Sequence, residues 1–549
     1  MLNPGLILSL FNDNLPEPSY WESRYPQRSL PPGAVVTRFG PSPTGFLHTG
    51  GVYVATIGKN LAHHSGGVYF VRIEDTDRAR EVAGVREQFV RAFQYFSIQS
   101  DEDDSTSQWG PYEQSKRELI YHTYARDLLL RGDAYPCFCT RDELAEMAER
   151  QQASKSNSGY YGIWARCRNL SSEDVARRLE AGQPYTIRFR APESPEGEPR
   201  RVVYRDLIRG PIEQQDNIND VVLLKSSDQS PRLPTYHFAH AVDDHLMRVN
   251  LVLRAEEWIS SVPLHLQLFK ALGFEPIPYA HIAPLMKFDG ASRRKLSKRK
   301  DSEANVEFYM SSGYPAGSVL HYLRGLANSR FAEMSFEESA SSALKLSECG
   351  VAGPIFDLVK LESISREFIS LMSTDEALSE LTDWAKRYDP ELAEIISADL
   401  SLTRRVLAME REPGAVHRKD VAKWSDFRAA YGLYFSGLFT LVTDPGDPRF
   451  HPVDADMVRS LAKAFADSYQ HSSDKDAWFE QIRTLAGSHG FAPTASQFKK
   501  APQDFNGSIS HVSNVIRVAM TGLTKSPELF LVAQNIGREE VLRRVRALT

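Results

Sequence analysis

Short apolar runs alternate with helix-spaced apolar residues up to about residue 305. The runs predict buried strands at Ala34–Val36, Val68–Ile73, Leu251–Arg254 and Tyr279–Met286. Apolar residues at helical spacing over Val52–Ala62, and again up to Leu272, predict helices between these strands, and Gly273 is placed to end the second helix. Strands that alternate with helices in this way predict an α/β fold with a Rossmann-type, doubly wound parallel sheet.

The middle and the end of the chain depart from this alternation. A helix predicted over Tyr112–Leu130 is followed by short alternating runs, Tyr185–Arg190 and Val221–Lys225, which predict antiparallel strands of an inserted α+β module. Later runs such as Ala377–Tyr388 and Asp420–Tyr434 are helical, so the C-terminal half is predicted to be all-α. The predicted domains are an N-terminal arm (1–33), the first half of the sheet domain (34–111), the inserted module (112–226), the second half (227–304), a connecting region (305–360) and a helical half (361–549) divided near 440–450.

Composition places the chain among ordinary globular proteins and excludes fibrous and disordered classes. It has 549 residues, of which 42% are hydrophobic and 25% charged. There is no apolar run of about 18 residues and no signal-peptide pattern at the N-terminus, which predicts a cytoplasmic protein that does not enter a membrane. The net charge of -6 gives no global sign of nucleic-acid binding, so any RNA contact must use local basic patches.

A glycine-rich turn follows the first predicted strand, over Thr37–Gly51. Bare backbone at Gly50 and Gly51 would let a nucleotide approach the first N–H groups of the next helix, whose dipole favours anions. His48 would donate a hydrogen bond to a phosphoryl oxygen. The alternative is a plain turn that opens a helix, with His48 as a solvated loop residue.

Charged side chains end two of the predicted parallel strands. Glu74 follows the second strand, and Arg254 ends the strand Leu251–Arg254. Doubly wound folds bind ligands at the carboxyl ends of their strands, which makes both residues candidates for a site. For the segment after Glu74 the alternative is a helix cap, because Thr76 and Asp77 precede a helical segment predicted from about Arg80.

Two basic clusters are candidates for RNA or phosphate contact. The segment Ser292–Asp301 carries six lysines and arginines and is predicted to be a loop after the last strand. The inserted module contributes Arg188, Arg190, Arg200, Arg201, Arg205 and Arg209. A solvated surface is the alternative in both cases.

The four cysteines are too few for a disulfide scaffold. Cys137 and Cys139, with Cys167 downstream, predict a structural zinc site with Tyr161 or Tyr160 as a fourth ligand. The alternative is a set of buried free thiols that fill space.

The glycine-rich turn and the lysine loop form a pair that suits adenylyl transfer. A triphosphate would be held on one side by helix N–H groups and a histidine, and on the other by lysines that follow charge onto the leaving pyrophosphate. With Thr37–Gly51, Arg72–Asp77 and the Lys-Leu-Ser-Lys-Arg motif Lys295–Arg299, the chain resembles the class I aminoacyl-tRNA synthetases, most closely the glutamyl-tRNA synthetases of bacterial type. Phe356–Leu361 and Met520–Gly522 resemble the helical half of that family.

The resemblance implies roles for particular residues. It assigns glutamate binding to Arg38, Ser42, Glu74, Tyr236, His240 and Arg254. It assigns ATP binding to Thr44, His48, Gly50, Gly51, Glu257, Trp258, Leu296, Ser297 and Lys298. His48, Lys295 and Lys298 would stabilise charge during catalysis. Gly51 stands where the general class I motif has a second histidine, and His240 where some relatives have asparagine.

The resemblance also implies the reaction and the partners. L-Glutamate and ATP with Mg²⁺ would form glutamyl-adenylate, and tRNA(Glu), with tRNA(Gln) undecided, would take the acyl group. Residues 112–226 would bind the tRNA acceptor end, 305–360 the stem and 361–549 the anticodon, in an enzyme expected to be a monomer. Two alternatives stay open: a small-molecule nucleotidyltransferase, which shares the turn, and a non-catalytic tRNA-binding paralogue.

Overall fold

The computed structural model describes residues 2–12, 14–193, 200–409, 411 and 419–549. Contacts divide the chain into two compact units, the first formed by residues up to 310 with 319–358 and the second by 311–318 with 359–549. The strands are β1 (Val36–Phe39), β2 (Val68–Val71), β3 (Ala134–Cys137), β4 (Thr186–Phe189), β5 (Arg201–Asp206), β6 (Gly210–Gln215), β7 (Val222–Leu224), β8 (Val252–Ala255), β9 (Tyr279–Ile282), β10 (Met286–Asp289) and β11 (Ser292–Lys295).

Helices occur throughout the described chain. Those that begin before residue 350 are α1 (Pro4–Leu8), α2 (Pro18–Arg24), α3 (Thr49–His64), α4 (Val85–Tyr95), α5 (Glu118–Arg131), α6 (Arg141–Ala153), α7 (Ser172–Glu180), α8 (Tyr236–Leu246), α9 (Val262–Leu272), α10 (Glu307–Ser312), α11 (Ala316–Ala327) and α12 (Phe336–Ser341). The later ones are α13 (Leu358–Leu371), α14 (Thr374–Tyr388), α15 (Pro390–Ala398), α16 (Leu400–Ala408), α17 (Phe427–Tyr431), α18 (Ala455–Ser468), α19 (Lys475–Ser488), α20 (Ala495–Lys500), α21 (Ile509–Thr521), α22 (Leu529–Ile536) and α23 (Arg538–Arg546). None of the described helices is long and apolar enough to cross a membrane.

The predicted parallel sheet is confirmed in the first unit. β1 pairs in parallel with β2, and β8 with β9. β8 lies next to β1, because the N–H groups of Asn250 and Leu251, just before β8, donate to the carbonyl of Val36 at 3.0 and 3.2 Å. The carboxyl ends of these four strands therefore meet at one edge.

The first strand begins two residues later than predicted, at Val36 rather than Ala34, and includes the buried polar residues Thr37 and Arg38. An apolar run cannot reveal such a strand, because Arg38 is buried through an ion pair with a residue more than two hundred positions away. The segment after Glu74 is also different from the expectation. Asp77 precedes only a 3₁₀ turn and makes no side-chain cap, and the long helix begins at Val85.

The two strands predicted for the inserted module lie in one sheet, as β4 and β7, and the module has further strands in two separate groups. β3, β4 and β7 make an antiparallel sheet of their own. β5 and β6 form an antiparallel hairpin, and β5 also meets β9 in parallel through the pair Asp206 and Tyr279. The end of this hairpin therefore lies beside the parallel sheet, which the alternation of apolar and polar residues did not indicate.

Two other predicted segments need correction. The first part of the basic segment is a strand and not a loop, because β11 pairs with β10 in an antiparallel hairpin. Asp420–Tyr434 is helical only at α17, with 3₁₀ turns on both sides. Around it the all-α prediction is confirmed: the described part of the second unit has helices and no strand, packed on a core that includes Leu381, Trp478 and Ile516.

A buried ionic network joins α5 to α8 in the first unit. The carboxylate of Asp243 on α8 accepts hydrogen bonds from Arg117 Nε and the Tyr121 hydroxyl, both at 2.7 Å, and from Gln114 Nε2 at 2.9 Å. The side chains of Asp243 and Arg117 are fully buried. Loss of one partner would leave a charge in the protein interior, which is strongly destabilising.

We expect Asp243→Asn to lower the free energy of unfolding of the first unit by about 3 kcal/mol, because the buried Arg117 loses its counter-charge. Asp127→Asn is the matched control, since Asp127 pairs with Arg131 on the exposed side of α5 and should matter by less than about 0.5 kcal/mol. Urea unfolding followed by tryptophan fluorescence measures both. Equal losses in the two variants would contradict the interpretation.

Candidate active site

A cavity of about 380 Å³ lies at the carboxyl ends of the parallel strands. Its wall brings together residues that are far apart in the sequence. Predicted site residues on the wall are Arg38, His48, Gly50, Gly51, Glu74, Tyr236, Arg254, Glu257, Trp258, Lys295 and Lys298. One part of its wall carries the buried arginines, and another part carries the N-terminus of α3 and the lysines.

His48 caps the N-terminus of α3. Its Nδ1 accepts from the backbone N–H of Gly50 at 2.8 Å, which leaves the ring proton on Nε2, 3.2 Å from the carbonyl of Leu296. Burial, and then the positive charge of Lys298, lowers the pKa of His48 to about 4. The imidazole is therefore neutral, and it connects the glycine-rich turn to the lysine loop.

Close approach favours glycine at two points of the turn, more strongly at Gly40 than at Gly51. A Cβ at Gly40 would lie 2.3 Å from Oε1 of Glu74, so any side chain there would displace this carboxylate. A Cβ at Gly51 would lie 3.0 Å from Leu47 Cδ1 and 3.1 Å from Phe39 Cζ. Glu74 accepts from Arg72 Nη2 at 3.1 Å, and burial raises the pKa of its carboxyl group.

Arg38 is held by the carboxylate of Asp244. Its Nε lies 3.0 Å from both oxygens of Asp244, which also accepts from Arg72 Nη1 at 2.6 Å. The two guanidinium groups hold the pKa of the fully buried Asp244 well below its usual range despite burial. His240 lies behind this pair, with Nδ1 2.9 Å from Asp244, and it is not on the cavity wall.

Arg254 has different partners. Its Nε donates to Nε2 of His281 at 3.0 Å, its Nη1 lies 3.3 Å from the Tyr236 hydroxyl, and its Nη2 lies 3.3 Å from the Trp258 carbonyl. His265 adds an Nδ1 acceptor at 3.4 Å. The sequence reasoning missed both histidines. The only signal was their position within predicted buried segments, where a polar ring needs a partner.

The lysine loop is held in a defined conformation. Asp301 accepts from Arg294 Nη2 at 2.7 Å and from the N–H of Ser297 at 3.0 Å. The ammonium group of Lys295 pairs with Glu257, and that of Lys298 donates to the carbonyl of Phe46. Both lysine side chains are exposed at their outer faces, so they can exchange these partners for phosphate oxygens.

Some predicted site residues are not on the wall. Ser42 is exposed, Thr44 and Ser297 are half-buried, and Leu296 is buried; none of the four lines the cavity. Among the predicted basic positions of the inserted module, Arg201 and Arg205 are exposed, whereas Arg188 is buried against the ring of Tyr160. The exposed part of that patch is therefore smaller than the sequence indicated.

The three predicted zinc-ligand cysteines lie together in the first unit. Sγ of Cys139 is 3.6 Å from Sγ of Cys167, and the three thiols lie within 4.8 Å of one another. The hydroxyl of Tyr160 is 3.4 Å from Cys137 and 3.3 Å from Cys139. Tyr161, the other candidate, instead donates to the carbonyl of Asn157, so the structure places Tyr160 and not Tyr161 at the cluster.

Comparison with known proteins shows the family of this chain. A family model described as "tRNA synthetases class I (E and Q), catalytic domain" matches residues 34–362, and one described as "Anticodon binding domain" matches residues 492–549. A glutamate–tRNA ligase from Clostridium perfringens is 39% identical over 537 residues, which are 96% of this chain and 97% of the relative. The chain belongs to the glutamate–tRNA ligase family of class I tRNA synthetases.

Two further members of the family match this chain over nearly its whole length. The glutamate–tRNA ligase of Thermus thermophilus is 34% identical over 528 residues, covering 94% of this chain and all of the relative. A crystal structure of a glutamate tRNA ligase from Elizabethkingia meningosepticum, in complex with its amino acid, superposes with a TM-score of 0.74 at 26% identity. It covers 94% of this chain and 99% of that one.

We expect His48 to stay neutral, with its proton on Nε2, between about pH 5 and 8, because its lowered pKa of about 4 lies below that window. Nitrogen NMR of histidine-labelled protein reports both the charge and the tautomer. The signal that disappears in His48→Gln is the signal of His48. Titration of the His48 signal near the ordinary histidine pKa would contradict the geometry.

Proposed function

We propose that this chain ligates L-glutamate to tRNA through a glutamyl-adenylate. The observation that carries the proposal is the single cavity whose wall holds Arg38, Arg254 and Glu74 at one end and His48 with Lys295 and Lys298 at the other. Its two ends match the two small substrates, and the activity agrees with membership of the glutamate–tRNA ligase family.

The charges at the first end match a zwitterion with an extra carboxylate. Two buried arginines offer forked donors for the two carboxylates, and Glu74 offers an acceptor for the ammonium group. Tyr236, which contacts Arg254, adds a hydroxyl to the same end. An uncharged amino-acid side chain would leave one buried guanidinium unpaired, and this is a strong basis for rejection.

The second end suits a triphosphate. The N-terminus of α3 presents the N–H groups of Gly50 and Gly51 with the positive end of the helix dipole. Lys295 and Lys298 supply positive charge from the opposite side. Mg²⁺, when bound to ATP, would add charge neutralisation on the phosphates.

The reaction needs no nucleophilic side chain. A carboxylate oxygen of glutamate attacks the α-phosphorus, the bond to the bridging oxygen breaks, and pyrophosphate leaves with its electron pair. A ribose hydroxyl of the tRNA then attacks the activated carbonyl and loses its proton, the bond from that carbonyl to the phosphate oxygen breaks, and AMP leaves with the electron pair. Positioning by the arginines and charge stabilisation by His48, Lys295 and Lys298 supply the rate enhancement.

The remaining substrate of the reaction is a tRNA. We propose tRNA(Glu) as the substrate, with the anticodon read by the helical second unit, where the anticodon-binding model matches. The exposed arginines of the β5–β6 hairpin, Arg201 and Arg205, would face the acceptor end. A ligase with this substrate would work where translation takes place, in the cytoplasm.

We also propose that the cysteine cluster holds a structural zinc ion. In a tetrahedral site with Zn–S bonds of about 2.3 Å, sulfur atoms lie roughly 3.7 Å apart, and Cys139 and Cys167 are 3.6 Å apart. The hydroxyl of Tyr160 lies within reach of two thiols and would be the fourth ligand. Zinc would fix the end of β3 and would take no part in the chemistry.

We expect Lys298→Ala to lower kcat for tRNA charging by about a hundredfold or more while the KM for glutamate changes little, because the charge acts on the leaving pyrophosphate. Lys300→Ala in the same loop is the control, since Lys300 pairs with Asp289 and is not on the cavity wall. Steady-state charging with purified tRNA measures both. An unchanged kcat in Lys298→Ala would refute its role.

We expect purified protein to contain about one zinc ion per chain, and Cys139→Ser to lose it, because a structural site needs its full set of ligands. Tyr161→Phe should retain zinc, since Tyr161 lies outside the cluster. Metal analysis by inductively coupled plasma mass spectrometry gives the stoichiometry. Zinc-free wild-type protein that resists reconstitution would favour buried free thiols.

A further inference from the structure

Arg254 is a buried cation without a carboxylate partner. Among the described residues, none of the ion pairs includes Arg254, although its residue is only 6% exposed. All of its close acceptors are neutral: two imidazole nitrogens, one hydroxyl and one carbonyl. Arg38, on the same cavity, instead contacts a carboxylate directly, since its Nε–H is shared between the two oxygens of Asp244.

The carboxylate of Asp206 interacts with Arg254 indirectly, through His281. Nε of Arg254 donates to Nε2 of His281 at 3.0 Å, and Nδ1 of His281 lies 2.7 Å from Oδ2 of Asp206. Both His281 and Asp206 are buried. Because Nε2 must accept, the ring proton must sit on Nδ1 and donate to Asp206, so the carboxylate fixes both the tautomer and the direction of the ring.

Asp206 is satisfied entirely by donors. Oδ1 accepts from the N–H groups of Ile208 and Arg209 at 2.9 Å, in the turn of the β5–β6 hairpin. Oδ2 accepts from the backbone N–H of His281 at 3.1 Å as well as from its ring. Four N–H donors therefore converge on two oxygens, which an ionised carboxylate accepts and an amide cannot.

A second chain of neutral groups, formed by His265 and His237, contacts the Nη atoms of Arg254. Nδ1 of His265 accepts from Arg254 at 3.4 Å, and its Nε2 lies 2.9 Å from Nδ1 of His237. Burial lowers the pKa of His265 well below its ordinary value, and burial also lowers the pKa of His281. Each ring can thus act as an acceptor towards Arg254 without adding positive charge beside it.

We propose that Asp206 and His281 are positioning residues that aim Arg254 at a substrate carboxylate while leaving its charge unpaired. The inference rests on the proposed function and deepens it, since Arg254 would be the cation whose charge is reserved for the amino acid. A carboxylate in direct contact, as in the Arg38–Asp244 pair, would fix the guanidinium but would also neutralise it before the substrate arrives. A neutral imidazole between the two fixes the direction and transmits little charge.

The position of Asp206 gives this relay a second consequence. Asp206 ends β5, at the one residue where the hairpin meets β9. Arg209 in the same turn pairs with Glu256 and donates to the carbonyl of His281 at 3.3 Å. A shift of the hairpin would therefore move the groups that orient Arg254.

The test is Asp206→Asn, which is nearly isosteric but must turn an NH₂ group towards N–H donors. If the amide faces His281, the ring must move its proton to Nε2, where it opposes the Nε–H of Arg254. We expect the KM for glutamate in tRNA charging to rise about tenfold to a hundredfold, while the KM for ATP stays near the wild-type value. His281→Leu should show the same split.

Asp216→Asn is the matched control. Asp216 follows the other strand of the same hairpin and pairs with Arg200, so it shares any effect on hairpin stability but has no contact with His281 or Arg254. Its KM for glutamate should stay at the wild-type value. The double variant Asp206→Asn with His281→Leu should be no worse than His281→Leu alone, because both act through one relay.

The outcomes separate the two proposals. Wild-type protein that does not charge tRNA with glutamate would overturn the proposed function and this inference together. Normal charging with an unchanged KM for glutamate in folded Asp206→Asn would overturn the inference alone. So would a parallel rise of both KM values with a lowered melting temperature, since that pattern indicates a merely structural carboxylate.

Discussion

The first unit depends on two adjacent aspartates of α8 that face different partners. Successive helix residues point about 100° apart, so Asp243 faces α5 and Asp244 faces the parallel sheet. Asp243 is bound by Arg117 and Asp244 by Arg38, while Arg72 pairs closely with Asp244 and more distantly, at 4.0 Å, with Asp243. Because an unpaired buried charge is very unfavourable, neither network can form without the element that supplies its counter-charge. One helix thus couples the folding of the inserted segment to the geometry of the cavity.

The two arginines on the cavity use charge in opposite ways. Arg38 and Arg72 share the carboxylate of Asp244, and Arg72 also pairs with Glu74, so Arg38 belongs to a cluster whose formal charges cancel. Arg254, surrounded by neutral acceptors, keeps its charge in a low-dielectric site, where its attraction for an anion is strongest. Recognition of an amino acid with two carboxylates therefore does not need two equivalent arginines.

Sequence reasoning found the groups that local patterns reveal. Glu74 and Arg254 could be predicted because they end strands, and His48 because it precedes a helix in a glycine-rich turn. It could not find His265, His281 or Asp206, because the two histidines contact Arg254 from other elements and Asp206 reaches it only through His281. It also could not separate Tyr160 from Tyr161, since neighbouring residues differ only in the direction of the side chain. Ser42 and Thr44 came from resemblance alone, and the cavity wall does not include them.

The two ends of the cavity differ in rigidity, and the chemistry gives a reason. At the amino-acid end the arginines are buried and each is held by several hydrogen bonds, so their geometry is set before a substrate binds. At the other end Lys295 and Lys298 are exposed, flexible side chains with single partners that phosphate oxygens can replace. Discrimination between similar amino acids requires fixed donors, because an adaptable site accepts near misses. Negative charge that moves from the α-phosphate to a departing pyrophosphate requires cations that can follow it. Under the proposed function, the fixed arginines would therefore determine specificity and the exposed lysines would determine rate.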